Sequence, residues 1–174
     1  LCLECHLLPV KDVIYSSPKE IYIESDASSA TYFFGAAAIG GGTLKVNGLG
    51  SKSIQGDIQF LKILEKMGVN VKIDHNSISI LNEKILKPFN EDLNHIPDAA
   101  MTLAILALYA DGISVLRNIG SWRIKETDRL KAMATELKKI GANVNEGKDY
   151  LEIEPPNKFN NATMRTTKLS HNNS

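Results

Sequence analysis

Charged side chains crowd the stretch from Arg123 to Arg129, where residue types and spacing could do chemistry. Lys125 and Arg129 are four residues apart, so a helix beginning here would carry both on one face. Cations are disfavoured at the positive end of a helix dipole unless they contact solvent or an anion. Guanidinium and ammonium groups beside the unpaired N–H groups of a helix start form an anion site. The stretch therefore predicts an anion site, and the alternative is a solvated face on which these cations pair with acids such as Glu126.

The helix that must position these cations is predicted from Leu130 to Ile140. Its apolar residues recur with the period of an amphipathic helix, and Gly141 supplies a stop. The same patterning predicts further helices at Ala27–Ile39, Asp57–Met67 and Ala99–Ala110. It predicts strands at Glu20–Glu24, Thr43–Val46, Val69–Ile73, Ser77–Ile80, Asp92–Ile96, Ile113–Leu116, Ala142–Asn145 and Tyr150–Ile153.

These elements form an internal repeat of two βαβαββ units, at residues 20–81 and 92–154. The separation of Asp26 from Gly68 differs by a single residue from that of Asp98 from Gly141. Each unit has one helix that is apolar on most faces, and such a helix must be covered on all sides. Several units must therefore pack these helices together. Two units without a complete third predict a core that is open on one side. Residues 1–19 are expected to be irregular and residues 157–174 to form a loose polar tail.

The repeat provides an internal control on which residues serve the fold. Asp26 and Asp98 occupy matching positions, so the residues alone favour a helix N-cap for Asp98, worth ~1 kcal/mol. Asp57 and Asp128 also match and are expected to be acids at helix starts. Arg123 and Lys125 replace Ser53 and Gln55 of the loop at residues 50–57, and Arg129 replaces Ile58 just after it. That loop is expected either to cap a helix or to contribute to a site.

Composition excludes several classes of function. Lys plus Arg and Asp plus Glu are both 20, so the net charge is zero, and 6% of the residues are aromatic. This balance argues against nucleic-acid binding. No apolar run approaches the ~20 residues of a membrane helix. Cys2 and Cys5 form an isolated C-x-x-C pair, which is expected to be two incidental thiols in a reducing cytoplasm rather than a metal site.

Four segments in the same order and spacing resemble the 5-enolpyruvylshikimate-3-phosphate synthase family: residues 26–30, 50–57, 94–101 and 123–129. The resemblance runs from Tyr22 to Pro156. It implies an α/β (α+β) fold, the inside-out α/β barrel of the enolpyruvyl transferases. In that fold each of two domains contains three βαβαββ units. The chain would supply two of the three units of the C-terminal domain, as a fragment.

The resemblance also implies an activity. The family transfers the enolpyruvyl group of phosphoenolpyruvate to the 5-hydroxyl of shikimate 3-phosphate, on the pathway to chorismate and the aromatic amino acids, without a metal or other cofactor. Asp98 aligns with the general base and Glu126 with a carboxylate proposed for proton transfer. Arg129 aligns with the arginine that binds phosphoenolpyruvate and Lys125 with a substrate-contacting lysine. Ser121 stands at a substrate-contacting position that is commonly Asn.

Other residues of the family's site have no match in the chain. They include an arginine and a lysine of the third unit and the phosphate-binding residues of the N-terminal domain. The third unit and the N-terminal domain are therefore the expected partners of the chain. The chain alone is expected to be inactive. Its expected location is the cytoplasm, and the alternatives are a plastid or a place within a multifunctional polypeptide. Two alternatives stand beside this interpretation. One is a UDP-N-acetylglucosamine enolpyruvyl transferase, and the other is a non-catalytic, truncated product.

Overall fold

The computed structural model describes residues 16–125 and 127–164 and contains two α/β units. The first unit has helices α1 (Ala27–Gly40) and α2 (Phe60–Lys66) and strands β1 (Gly42–Asn47), β2 (Asn70–Ile73) and β3 (Ser77–Asn82). The second unit has helices α3 (Ala99–Leu106) and α4 (Arg129–Lys139) and strands β4 (Asn90–Asp92), β5 (Ser114–Arg117), β6 (Asn143–Glu146) and β7 (Leu151–Glu154). All four predicted helices are present.

Each unit contains one sheet, and the two sheets share part of their topology. In the first, the order is β1-β3-β2 with antiparallel pairing throughout, and Leu44 lies opposite Ile80. In the second, the order is β4-β5-β7-β6, with β4 parallel to β5 and the other pairs antiparallel. The second unit therefore completes the βαβαββ pattern, whereas the first lacks its opening strand in the described part of the chain.

The prediction of a strand at Glu20–Glu24 is wrong. No strand is assigned there, and Ile21 and Ile23 are 77% and 82% exposed. The backbone touches the first sheet at its end, where the Ser25 N–H donates to the Gly48 carbonyl at 3.1 Å. The isoleucines alternate with the period of a strand, but no apolar surface covers either side chain. Such a pattern favours a strand only when its apolar side chains are buried.

Other predicted boundaries shift where the chain tightens into 3-10 turns. Residues Gly56–Gln59 form such a turn, so α2 begins at Phe60 rather than Asp57. A second turn at Ala107–Tyr109 ends α3 early. Strand β4 spans Asn90–Asp92 instead of reaching Ile96. The start of the predicted loose tail is attached, because the Asn160 N–H donates to the Ile140 carbonyl at 2.9 Å. Residues 165–174 lie outside the described part.

The apolar helices α1 and α3 pack against each other and join the two units into one hydrophobic core. Their contact includes a buried hydrogen bond of 3.0 Å between the hydroxyls of Thr31 and Thr102. The far side of this helix pair is uncovered, as the sequence predicted. Tyr32 and Phe33 are each 63% exposed. Beside them lies an apolar groove of about 340 Å³, which we call the helix groove; it is lined by Tyr32, Gly35, Ala36, Ile39, Met101, Thr102, Ile105, Leu106 and Met133.

Candidate active site

The starts of α1 and α3 lie together and border a pocket of about 390 Å³, which we call the shared pocket. Its lining combines two carboxylates, one guanidinium, two hydroxyl-bearing serines and two larger side chains: Asp26, Asp98, Arg129, Ser28, Ser29, Tyr32 and Met101. Each unit thus contributes a helix start, and the second unit adds the first residue of α4. Both repeats therefore build this pocket at their helix starts, and its lining combines charged and hydroxyl-bearing side chains.

Asp26 caps α1, as the sequence predicted. Its carboxylate accepts the Ser28 N–H at 2.9 Å and the Ser29 hydroxyl at 2.6 Å. These hydrogen bonds, led by that from the Ser29 side chain, hold the pKa of Asp26 below its ordinary value. The carboxylate is therefore ionised at neutral pH, and its oxygens accept hydrogen bonds from the first turn of α1.

Asp98 does not cap α3, so the capping interpretation of this residue is wrong. Its backbone is already helical, with φ −80° and ψ −42°, and its side chain makes no capping hydrogen bond. A capping residue needs an extended backbone for its side chain to reach the N–H groups of the first turn. Instead, Asp98 Oδ1 lies 2.6 Å from Arg129 Nη1, with the Asp98 side chain 56% exposed. The structure therefore brings together two of the residues predicted to form the site.

Arg123 belongs to the scaffold, which corrects its assignment to an anion site. Its guanidinium donates to Asp128 at 2.9 Å and to Glu146 at 3.0 Å. It also donates to the carbonyls of Gly147 and Lys148 in the β6–β7 turn. The hydrogen bond with Glu146 leads the interactions that raise the pKa of Arg123. These acceptors occupy four of the five N–H donors of the guanidinium, so Arg123 is a cation paired with acids rather than a free anion ligand.

Asp128 is the acid expected at the start of the amphipathic helix, and it is the N-cap of α4. Its carboxylate accepts the Lys131 N–H at 2.9 Å. Although partial burial raises its pKa, hydrogen bonds from Lys131 and Arg123 outweigh this effect and lower it. The cap fixes the first turn of α4, which begins with Arg129. Its match, Asp57, accepts the Ser28 hydroxyl instead, so the two aligned acids play different parts.

Two further predicted residues lie on the 3-10 turn Gly120–Ile124 and just after it, and neither lines the shared pocket. Lys125 is exposed, and its ammonium has no hydrogen bond or ion pair to any residue of the described part. The Ser121 hydroxyl is buried and likewise lacks a hydrogen-bond partner within residues 16–125 and 127–164. Glu126, the expected proton-transfer carboxylate, lies outside the described residues.

The loop at residues 50–57 braces the start of α1, which is the capping alternative predicted for it. Gln55 Oε1 accepts the Ala27 N–H at 2.8 Å, and its Nε2 donates to the Ser25 carbonyl at 2.8 Å. Sequence reasoning assigned no individual role to Gln55, Ser28 or Ser29. The available signal was their place in two of the segments that carried the family resemblance.

No group of three or more His, Cys, Asp or Glu side chains within residues 16–125 and 127–164 is arranged to hold a metal ion. In the same part of the chain, no helix has both the length and the apolar character to cross a membrane. The pair Cys2 and Cys5 lies outside the described residues.

The two units and the pocket at their helix starts define an enolpyruvyl transferase fold. EPSP synthase from Acinetobacter baumannii aligns with 80% of this chain and 34% of its own, at a TM-score of 0.65 and 29% identity. The enolpyruvyl transferase NikO from Streptomyces tendae aligns with 77% of this chain and 31% of its own, at a TM-score of 0.62. At 19% identity, the likeness to NikO is one of fold.

Sequence comparison narrows the class to one family. A model of EPSP synthase (3-phosphoshikimate 1-carboxyvinyltransferase) matches residues 8–168, and the chain belongs to this enzyme family. The 3-phosphoshikimate 1-carboxyvinyltransferase of Janthinobacterium sp. (strain Marseille) is 55% identical over 152 residues, which are 87% of this chain and 34% of that protein. That of Buchnera aphidicola subsp. Acyrthosiphon pisum (strain 5A) is also 55% identical. The chain spans about a third of the length of these relatives.

Proposed function

We propose that this chain forms part of an enzyme that transfers the enolpyruvyl group of phosphoenolpyruvate to the 5-hydroxyl of shikimate 3-phosphate. The observation that carries the proposal is the meeting of Asp98 and Arg129 at the shared pocket, 2.6 Å apart, where Asp98 caps no helix. A partly exposed carboxylate without a capping role is available for chemistry. Membership of the family supplies the reaction, and a cytoplasmic location is part of the same proposal.

The reaction assigns a role to each side chain. Asp98 takes the proton of the 5-hydroxyl, whose oxygen then forms a bond to C2 of phosphoenolpyruvate while C3 gains a proton, with Glu126 as the proposed partner in proton transfer. The resulting tetrahedral intermediate loses phosphate and a C3 proton, which leaves the enolpyruvyl ether. Arg129 binds the phosphoenolpyruvate anion and orients Asp98. Lys125, exposed and unpaired among the described residues, contacts substrate charge, and Ser121 is assigned to shikimate 3-phosphate.

The chain by itself holds an incomplete site. Phosphoryl and carboxylate groups of both substrates need several fixed cations. Of the cations near the shared pocket, Arg129 is paired with Asp98, and Arg123 is occupied by the β6–β7 turn. We therefore propose that the remaining two thirds of the family's length supplies the other cations. A third βαβαββ unit would cover the helix groove, and an N-terminal domain would close the shared pocket.

Complementation tests this function. Shikimate 3-phosphate is titrated calorimetrically into the purified chain, with and without the separately expressed remainder of the Janthinobacterium relative. We expect binding and release of phosphate from phosphoenolpyruvate only in the mixture. With Asp98→Asn, turnover should fall by a factor of about 10² to 10⁴, the usual contribution of a general base. The matched variant Asp26→Asn should retain far more activity. Turnover by the isolated chain would contradict the incomplete site, and full activity of Asp98→Asn would contradict the assignment of Asp98 as the base.

The same mixture distinguishes the alternative enolpyruvyl acceptor. Thermal shifts are recorded with shikimate 3-phosphate and with UDP-N-acetylglucosamine. The proposal requires stabilisation by the first compound, and stabilisation by the second alone would overturn it. A mixture that folds and associates but responds to neither compound would support the non-catalytic alternative.

A further inference from the structure

Each unit contains a side chain that donates an N–H to the carbonyl immediately before its helix-start aspartate. In the first unit, Gln55 Nε2 donates to the Ser25 carbonyl at 2.8 Å. In the second unit, Trp122 Nε1 donates to the Pro97 carbonyl, also at 2.8 Å. The repeat does not align these donors, because Gln55 corresponds to Lys125. Two different side chains on the two loops therefore hold the same backbone carbonyl, which indicates that the position of that carbonyl matters.

The Pro97 carbonyl is accessible to Trp122 because the first turn of α3 is irregular. The Ala100 N–H donates to the Ile96 carbonyl at 3.0 Å, and the next N–H, of Met101, donates to the Asp98 carbonyl at 3.3 Å. In a regular α-helix the Met101 N–H would donate to the Pro97 carbonyl. Here it does not, so the Pro97 carbonyl has no donor from the helix. A partly buried carbonyl needs a donor, and the indole supplies one. Trp122 itself is 0% exposed.

Gln55 holds its helix start on both sides of the aspartate. Besides the bond to Ser25, its Oε1 accepts the Ala27 N–H at 2.8 Å. The residues before and after Asp26 are thus tied to one side-chain amide. Gln55 Nε2 also donates to Glu24 Oε2 at 3.0 Å, which restrains the amide further. Neither Gln55 nor Trp122 lines the shared pocket, so both act through the backbone.

We propose that Gln55 and Trp122 are matched positioning residues, which fix Asp26 and Asp98 at the edge of the shared pocket. Trp122 also lies on the turn that precedes Lys125. Its hydrogen bond therefore joins the segment that holds Asp98 to the segment that holds a predicted substrate-binding lysine. The catalytic meaning of this inference rests on the proposed function, whereas the restraint of the two helix starts does not.

Amide hydrogen exchange of the 174-residue chain, followed by NMR, tests the restraint without any substrate. Trp122→Phe keeps an aromatic ring in the core and removes the donor. We expect the amides of Ala100 and Met101 to exchange about tenfold faster, because local opening of the α3 start becomes easier. The amide of Ala134, in α4, should be unaffected. Gln55→Met should have the same local effect on the Ala30 amide, which donates to the Asp26 carbonyl at 3.1 Å.

A matched control separates this effect from general loss of stability. Phe89→Leu shrinks a buried ring next to β4 that has no bond to Pro97. It should speed exchange throughout the core without singling out Ala100 and Met101. If Trp122→Phe and Phe89→Leu give the same exchange pattern, or if Trp122→Phe leaves both amides unchanged, the positioning role is refuted.

A measurement on the unmodified chain covers the case in which Trp122→Phe does not fold. The chain has a single tryptophan, so its indole N–H gives one resonance. A hydrogen-bonded, buried indole should exchange slowly with solvent, and rapid exchange would overturn the proposal. In the complemented enzyme, Trp122→Phe should lower kcat about tenfold with little change in KM. Altered exchange without turnover in any mixture would leave the restraint intact and reject the proposed function.

Discussion

At the scale of single residues, Asp26 and Asp98 show how one residue type at one repeated position acquires two uses. Sequence matched them and favoured a cap for both. In the structure Asp26 bonds to Ser28 and Ser29, whereas Asp98 faces Arg129. The difference lies in the backbone, which is extended at Asp26, with ψ 113°, and helical at Asp98, with ψ −42°. Residue type and spacing do not encode that torsion.

This difference predicts unequal losses of stability. Asp26→Ala removes a capping carboxylate and should lower the free energy of unfolding by about 1 kcal/mol. Asp98→Ala removes no cap, and its carboxylate is 56% exposed, so it should cost clearly less. Urea unfolding of the two variants beside the unmodified chain measures both values. A larger loss for Asp98→Ala would show that its role is structural and would count against its assignment as the base.

A second residue-scale prediction concerns acid. The pKa values of Glu24, Asp26, Asp92 and Asp128 are all lower in the folded chain than their ordinary values, through hydrogen bonds to neighbouring donors. A lowered carboxylate pKa stabilises the fold at pH above the unfolded value, near 4. That stability is lost as the pH falls through the lower, folded value. Denaturant titrations at several pH values should therefore show the free energy of unfolding falling below about pH 4.

Asp128→Asn provides the control for this dependence. The amide keeps an oxygen for the Lys131 N–H but cannot titrate. The variant should be less stable than the parent at neutral pH, because Arg123 loses an ionic partner, and its stability should depend less on pH below about pH 4. An unchanged pH profile would exclude Asp128 as a contributor.

At the scale of elements, sequence predicted most of what periodicity can encode. The amphipathic α4 and the apolar α1 lie close to their predicted bounds, because their patterns match the surfaces they bury, whereas α3 begins where predicted and ends early in a 3-10 turn. The prediction of a strand at Glu20–Glu24 was wrong because no apolar surface covers its isoleucines. Arg123 was assigned to an anion because its partners, Glu146 and the β6–β7 turn, are distant in sequence. Long-range partners of this kind are a property of the packed structure.

Close packing of α1 on α3 makes Gly35 sensitive to substitution. A glycine inside a helix usually costs stability, so Gly→Ala normally gains about 1 kcal/mol. At Gly35, however, an added Cβ would lie 2.8 Å from Thr102 Cγ2. The resulting overpacking should outweigh the gain and lower the free energy of unfolding by about 1 to 2 kcal/mol. Gly40→Ala, whose Cβ would meet no atom within 4 Å, is the matched control and should be neutral or stabilising. Equal effects of the two substitutions would contradict this account of the helix contact.

At the scale of the whole molecule, the two units form a core with one uncovered side. The repeat places its apolar helices side by side, and each covers only part of the other. The remaining faces line the helix groove, next to the exposed rings of Tyr32 and Phe33. Exposed apolar surface of this kind marks an interaction site. The shared pocket begins where the groove ends, since Tyr32 and Met101 line both. A partner that covers the groove would therefore also border the pocket.

Because the helix groove continues into the shared pocket, we expect one partner both to cover the core and to complete the site. Ile105→Lys places a charge in the helix groove and should abolish complementation by the rest of the family's polypeptide. Because Ile105 is only partly buried, the variant should unfold at nearly the same urea concentration as the parent. Ile54→Lys, at a position 92% exposed and outside the groove, is the control and should complement normally.

Sedimentation measures association and phosphate release measures turnover, and Ile105→Lys should reduce both together. Association retained with turnover lost would show that the partner binds elsewhere. Normal behaviour in both assays would show that the groove is not the surface through which the site is completed.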